Sequence, residues 1–166
     1  QCTPVRPACG DCPLHDRCLS LAAGTVAERP VKRGKTQVRP RHLNYLHLEC
    51  GGRIALRRRP QGDIWQGLYD LPVIESDRPL EFTELTAAAP FRELLGTLPF
   101  RLVRTTRMPK HQLSHQSLHA VYHRLELDAW PPAAGEWTVV SGDALGDYAI
   151  PRLLDRYFER IGSGGS

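Results

Sequence analysis

The hydrophobic pattern changes character near residue 43. Before it, apolar residues occur singly or in one short run, Leu19–Ala23 (LSLAA), which fits a helical turn stopped by Gly24. Residues 25–42, TVAERPVKRGKTQVRPRH, have no period; they hold six Lys/Arg, two prolines and a glycine. That composition predicts an extended, solvated linker, with Pro30 and Pro40 each holding the preceding residue extended.

From residue 43 the pattern becomes regular. LNYLHLEC (43–50) alternates, with Leu43, Tyr45, His47 and Glu49 on one face and Asn44, Leu46, Leu48 and Cys50 on the other. This predicts a strand with one clearly apolar face. Gly51-Gly52 is a hairpin signal and Arg53–Arg58 supplies the returning strand. Cys50, closing the first strand, reads as a small core residue. Tyr69–Ile74 predicts another strand. A helix follows Pro79, with Leu80, Leu85 and Leu94 inward and a break at Pro90. Phe100–Arg107 is a strand with Arg101 and Arg107 on its polar face, Glu136–Val140 a short one, and Ala149–Ile161 a closing helix. In that helix Leu153, Leu154 and Phe158 point inward and Pro151 occupies the first turn.

Residues 111–127 fit two patterns. His111, His115, His119 and His123 recur every four residues, which on a helix would make a metal-holding ladder. Alternation of His119, Val121, His123, Leu125 and Leu127 fits a strand as well, and periodicity leaves both open.

With 166 residues, 41% hydrophobic and 24% charged, one ordinary globular core plus an appendage is accommodated. No window reaches the eighteen apolar residues of a membrane helix. The net charge of +4 is uneven: residues 1–60 carry twelve Lys/Arg against four Asp/Glu, and residues 61–166 carry ten against fourteen. A basic half points to an anionic partner, nucleic acid first. Lys32, Arg33 and Lys35 form either a patch facing that partner or a soluble linker. The tail, residues 162–166, reads as flexible and outside the fold.

Four of the five cysteines, Cys2, Cys9, Cys12 and Cys18, crowd the start with spacing C-x6-C-x2-C-x5-C. Converging thiolates suit a soft metal centre. Disulfides are disfavoured, because no apolar signal segment is present and Cys50 would be left odd. Zinc knuckles pair ligands two to four residues apart, so the wider loops favour an iron–sulfur centre, with zinc remaining open.

This spacing resembles the [4Fe–4S] motif of helix-hairpin-helix DNA glycosylases, and CPLHDRC resembles that family's Cys-Pro-Leu run. WQGLYDLP, Trp65 to Pro72, resembles the W-x-G-L-[WY]-x-[FL]-P run of the adenine DNA glycosylase (MutY) family, and LSH at 113–115 resembles its Phe-Ser-His loop. The resemblance covers Cys2 to about Ile161. It implies an α+β fold: a Nudix-like mixed sheet flanked by helices over 43–161, preceded by a cluster loop (1–24) and a linker (25–42). It also implies that 111–127 is a loop plus a strand, and that Trp65, Leu68, Tyr69 and Pro72 are core or loop-shaping residues.

The function so implied is removal of adenine mispaired with 8-oxoguanine, an N-glycosyl hydrolysis in base excision repair. The catalytic helix-hairpin-helix domain would lie upstream of Cys2, so this chain is expected to be a C-terminal fragment that recognises the lesion and performs no chemistry. Its expected partner is double-stranded DNA with 8-oxoguanine opposite adenine, and its expected location is intracellular, in the cytoplasm, on DNA. Cys2, Cys9, Cys12 and Cys18 would hold [4Fe–4S], Arg6 would meet a phosphate, and Leu113, Ser114 and His115 would read the lesion. Leu113 departs from the family's phenylalanine and offers weaker stacking. A true Nudix hydrolase needs R-E-x-x-E-E-x-G; the nearest stretch, Arg92 to Thr97 (RELLGT), lacks the glutamate pair. A related cluster glycosylase with another lesion, or a zinc-bearing interaction module, are the alternatives.

Overall fold

A computed structural model describes residues 2–3, 5–29, 31 and 38–162. Lys32, Arg33 and Lys35, and the tail beyond Gly162, lie outside the described residues. The chain divides into two compact units, 1–37 and 38–166. In the first, α1 (Leu19–Ala22) follows the cysteine-rich loop and ends before Gly24, at φ +68°. A single 3-10 turn, Val26–Glu28, lies within the stretch expected to be linker.

The second unit begins with β1 (Arg39–Cys50), which turns through Gly51-Gly52 into β2 (Arg53–Arg58). Both glycines have positive φ, +57° and +74°, as a two-residue I′ hairpin loop demands. β3 (Tyr69–Asp70) and β4 (Val73–Ser76) are the predicted 69–74 strand, divided at Leu71-Pro72 because proline has no N–H for the ladder. α2 (Phe82–Ala87) starts in a capping box of Glu81 and Glu84, and α3 (Ala89–Leu95) carries Pro90 in its first turn. The predicted single helix therefore breaks at Ala88, one residue ahead of the position that Pro90 restricts.

β5 (Phe100–Arg107) is followed by β6 (His111–Gln112), β7 (Gln116–Leu127), β8 (Thr138–Ser141) and α4 (Arg152–Gly162). The strand reading of 111–127 thus prevails, and the four histidines do not form a helical ladder. The last short strand falls at 138–141 rather than 136–140, since Pro132–Glu136 turns as a 3-10 helix.

The sheet is mixed, in the order β3-β2-β1-β7-β5, with β4 on β1, β6 on β7 and β8 on β2. At its centre β1 and β7 run parallel, in register from Arg39↔Gln116 to Glu49↔Glu126. Residues 39–42, assigned to the linker from sequence, are the start of β1. Pro40 is tolerated there because it sits beside the strand's first residue, where the ladder is just beginning.

β1 is buried on both faces, which corrects the expectation of one apolar face. Leu43 and Tyr45 enter a core with Leu56, Leu118, Tyr122, Leu154 and Tyr157, beneath α4. Leu46 and Leu48 enter a second core with Leu85, Phe91, Leu95 and Leu125, beneath α2 and α3. A central parallel strand covered by helices on both sides has no wet face. His47 is accommodated in this dry strand because its Nδ1 meets the Tyr157 hydroxyl at 2.8 Å. Tyr157, not Phe158, takes the fully buried place on α4, and Phe158 packs at its edge. Among the described residues no helix is long and apolar enough to cross a membrane.

Burial makes this core sensitive to acid. His47 is pushed down to about 3 by desolvation and Arg124, and His123 to about 4 by desolvation and Arg107. Both stay neutral in the fold while the unfolded chain protonates them below about 6.5. They therefore add stability above that pH that is lost as pH falls towards the folded values. Asp70, pushed up to about 7 by burial, opposes them: it stays protonated in the fold while the unfolded chain ionises it above 3.8. Two histidines outweigh one carboxyl, so the denaturant midpoint should fall from pH 6.5 to pH 4. His123→Phe, measured by urea titration across that range, should flatten the decline, and an unchanged slope would count against this account.

Candidate nucleic-acid interface and cysteine centre

Cys2, Cys9, Cys12 and Cys18 line one small recess, closed by Pro7, Ala8, His15 and Leu21. Short local hydrogen bonds build it. The His15 N–H donates to Cys12 O at 2.9 Å, the Cys18 N–H to His15 O at 3.3 Å, and the His15 ring Nδ1 lies 2.9 Å from Cys9 O. Cys2 is exposed and the other three are half-buried; all four are free thiols. Among the described residues no three His, Cys, Asp or Glu side chains close round a point tightly enough for a single ion. The donor set around the recess is four soft thiols with no carboxylate, which fits thiolate-ligated iron–sulfur chemistry.

Arg6, within the same loop, has φ +50°, the left-handed region that non-glycine residues seldom enter. The Thr3 hydroxyl donates to Val5 O at 2.9 Å and braces the turn just before it. The Arg6 side chain is exposed.

In the second unit, β6 and β7 form a tight hairpin whose two loop residues are Ser114 and His115. The register His111↔Leu118 and Gln112↔Ser117 leads to a closing bond from the Leu113 N–H to Gln116 O at 2.8 Å. Gln112 Nε2 donates to Leu113 O and Gln116 O, and the Arg39 N–H donates to His115 O at 3.0 Å. The loop is thus pinned from its own hairpin and from the start of β1. Ser114 and His115 are exposed, and Ser114 Oγ has no hydrogen-bond partner among the described residues. Leu113 is half-buried and leans on the core below α4, so part of its apolar surface is committed internally. The structure brings Leu113, Ser114 and His115 together; Arg6 and the cysteines belong to the other unit.

One cluster went unnoticed in the sequence. Arg41 clasps Glu75 through Nε at 2.8 Å and Nη2 at 2.6 Å, and Arg59 Nη2 meets Asp63 at 2.5 Å. Arg57 and Arg58 join them around a cavity of about 250 Å³. Glu75 is held below its ordinary value first by the bond from Arg41, while the cations beside Asp63 overcome its desolvation. Asp70, behind this cluster, is wholly buried and accepts the Leu71 N–H at 2.9 Å. The signal available was an aspartate between Tyr69 and Leu71 in an otherwise apolar run, beside a triple arginine, 57–59.

The helix that would carry magnesium-binding glutamates in a hydrolase is α3. It presents one carboxylate, Glu93; Leu94 and Leu95 follow, and Leu95 is buried in the second core. Hard cations need several oxygen ligands, so this donor set does not fit a magnesium cluster.

Comparison with known proteins agrees with this architecture. Residues 2–18 match the iron–sulfur binding domain of endonuclease III. The chain is similar to the C-terminal domain of mouse MUTYH, solved in complex with human PCNA: 17% identity, TM-score 0.55, 75% of this chain and 88% of that one. A MutT protein from Methanosarcina mazei Go1 is similar at 19% identity and TM-score 0.53, covering 78% of this chain and 97% of that one. The Nudix hydrolase RenU from M. smegmatis is similar at 14% identity and TM-score 0.51, covering 77% and 84%. At these identities the likeness concerns the fold. The NUDIX domain family matches residues 44–160, most of the chain and nearly all of its second unit, and the protein belongs to that family.

Proposed function

We propose that this chain is the part of an adenine DNA glycosylase that binds DNA and recognises 8-oxoguanine opposite adenine. The observation that carries the reading is the union, in one chain, of an endonuclease III type iron–sulfur segment at 2–18 with a NUDIX domain at 44–160. The first is an endonuclease III type segment whose spacing resembles the cluster motif of helix-hairpin-helix DNA glycosylases, and the second here has a helix unsuited to magnesium hydrolysis. The fold likeness to a MUTYH C-terminal domain supports the same reading. Base excision by this chain alone is not expected, because its role is recognition.

Within that reading Ser114 faces the lesion. 8-Oxoguanine differs from guanine by an oxygen at C8 and a hydrogen on N7, and a hydroxyl that both accepts and donates suits that edge. The exposed, pinned hairpin holds Ser114 Oγ outward, ready for a base, with His115 beside it for the loop or a phosphate. Arg6 supplies affinity without sequence, its backbone held so that the guanidinium faces solvent. The four thiolates would hold [4Fe–4S], which supplies a rigid staple for the loop that carries Arg6.

Two measurements test this. Anaerobically purified protein should be brown and contain iron, and Cys9→Ser should bleach it; a colourless protein with stoichiometric zinc would overturn the cluster. Binding to duplexes with 8-oxoguanine opposite adenine and with guanine opposite adenine, followed by fluorescence anisotropy, should show a preference for the first. Ser114→Ala should reduce that preference by on the order of 1–3 kcal/mol. Arg6→Ala should instead weaken both duplexes equally and flatten the salt dependence. Equal loss on both duplexes for Ser114→Ala would make the hairpin a scaffold and not a reader.

A further inference from the structure

We infer that a cationic groove between the β5–β6 connection and α4 is a second DNA-backbone site, gripping the strand that runs past the Ser114–His115 hairpin. The inference rests on the DNA-binding reading above and adds to it residues that no motif singles out.

The groove has a volume of about 400 Å³. Its floor is apolar, from Met108, Pro109 and Leu153, and its rims carry Lys110 and His111 on one side and Arg156 and Arg160 on the other. Lys110 and Arg156 are exposed, and neither makes an ion pair or hydrogen bond among the described residues. They contrast with Arg41, Arg59, Arg107, Arg124 and Arg152, each of which has a carboxylate partner. Glu159 is the one carboxylate at the groove, and it is held by Arg152 at 3.0 Å. At Lys110 and Arg156 the surface therefore offers positive charge that no carboxylate among the described residues neutralises.

Burial explains why these side chains face outward together. Leu153, Leu154 and Tyr157 turn the inner face of α4 into the first core. Arg156 and Arg160, one turn apart, consequently share the exposed flank of α4 beside Leu153. Lys110 directly precedes β6, so the hairpin register that presents Ser114 also fixes this rim. From His111 to Ser114 the extended chain spans roughly 10 Å. Along one DNA strand that corresponds to about three nucleotides, at about 3.4 Å of axial rise each. Groove and hairpin thus fall within the footprint of one duplex, with base contact at one end and phosphate contact at the other.

A phosphate track asks for charge and not for a particular donor fork, and this yields the test. Binding of the 166-residue protein to a labelled duplex is followed from 50 to 200 mM salt, for the wild type, Lys110→Ala/Arg156→Ala and Lys110→Arg/Arg156→Lys. The alanine pair should bind lesion-containing and undamaged duplexes equally weakly, by on the order of tenfold per lost charge near 0.1 M salt. The slope of log K against log salt should shrink by about 2. The charge-preserving pair should bind as the wild type does. Thermal melting should be unchanged for both variants, since the mutated side chains are exposed. If the wild type binds DNA and the alanine pair keeps its affinity and slope, the groove serves another partner and this inference is overturned while the proposed function stands. If the wild type binds no duplex at all, the proposed function falls and the groove's role falls with it.

Discussion

The parallel pairing of β1 with β7 is the constraint on which the rest of the structure depends. Both strands are buried on both faces, so helices must cover each side, and every other strand attaches to one of these two directly or through β2. Their register is locked by side chains as well as backbone. Tyr45 faces Tyr122 across the pair with ring centroids 4.6 Å apart, and Tyr157 of α4 stacks on Tyr122 at 4.0 Å. Three nearly parallel rings thus join the two central strands to the final helix. A slip of one residue would exchange the two cores, moving Tyr45 to the side where Leu46 now packs.

Inside this frame two histidines are each held through one ring nitrogen, while their Nε2 atoms and the Tyr45 and Tyr122 hydroxyls have no hydrogen-bond partner among the described residues. His47 is tied to Tyr157, and His123 lies 3.1 Å from the Thr105 hydroxyl on the neighbouring strand. Asp70 is the costlier member, because burial pushes it up to about 7 while Arg59 and the Leu71 N–H pull the other way. Each histidine links elements distant in sequence, so its pairing specifies which surfaces meet as well as satisfying a buried nitrogen.

The same frame positions the Ser114–His115 hairpin. Because β7 is central and β6 only two residues long, the hairpin between them projects beyond the sheet while its base stays anchored to β1. A loop on a rigid platform can place one hydroxyl reproducibly at little entropic cost on binding. The magnesium-type helix has meanwhile been absorbed into packing: Phe91 and Leu95 of α3 are core residues, and Leu94 packs against them. The fold persists without the carboxylates that hydrolysis would require.

Much of this was legible in the sequence, because local rules settled it. Gly51-Gly52 demanded a hairpin, the four clustered cysteines suited a soft metal centre, and WQGLYDLP with LSH resembled the runs of the MutY family. What local rules could not decide was pairing. The two-faced burial of β1 was hidden because His47 and Asn44 look polar until Tyr157 and the β4 carbonyl of Ile74 arrive to bond them. The four-residue spacing of the histidines in 111–127 was equally compatible with helix and strand until eleven registered partners on β1 selected the strand. The Arg41–Glu75 and Arg59–Asp63 pairs, the buried Asp70 and the Lys110–Arg156 groove unite residues from separate elements, and only tertiary packing brings such groups within reach of one another. Sequence determined which segments could become strands, turns and ligands, since those depend on near neighbours; the sheet decided which side chains would share a site, since that depends on residues tens of positions apart.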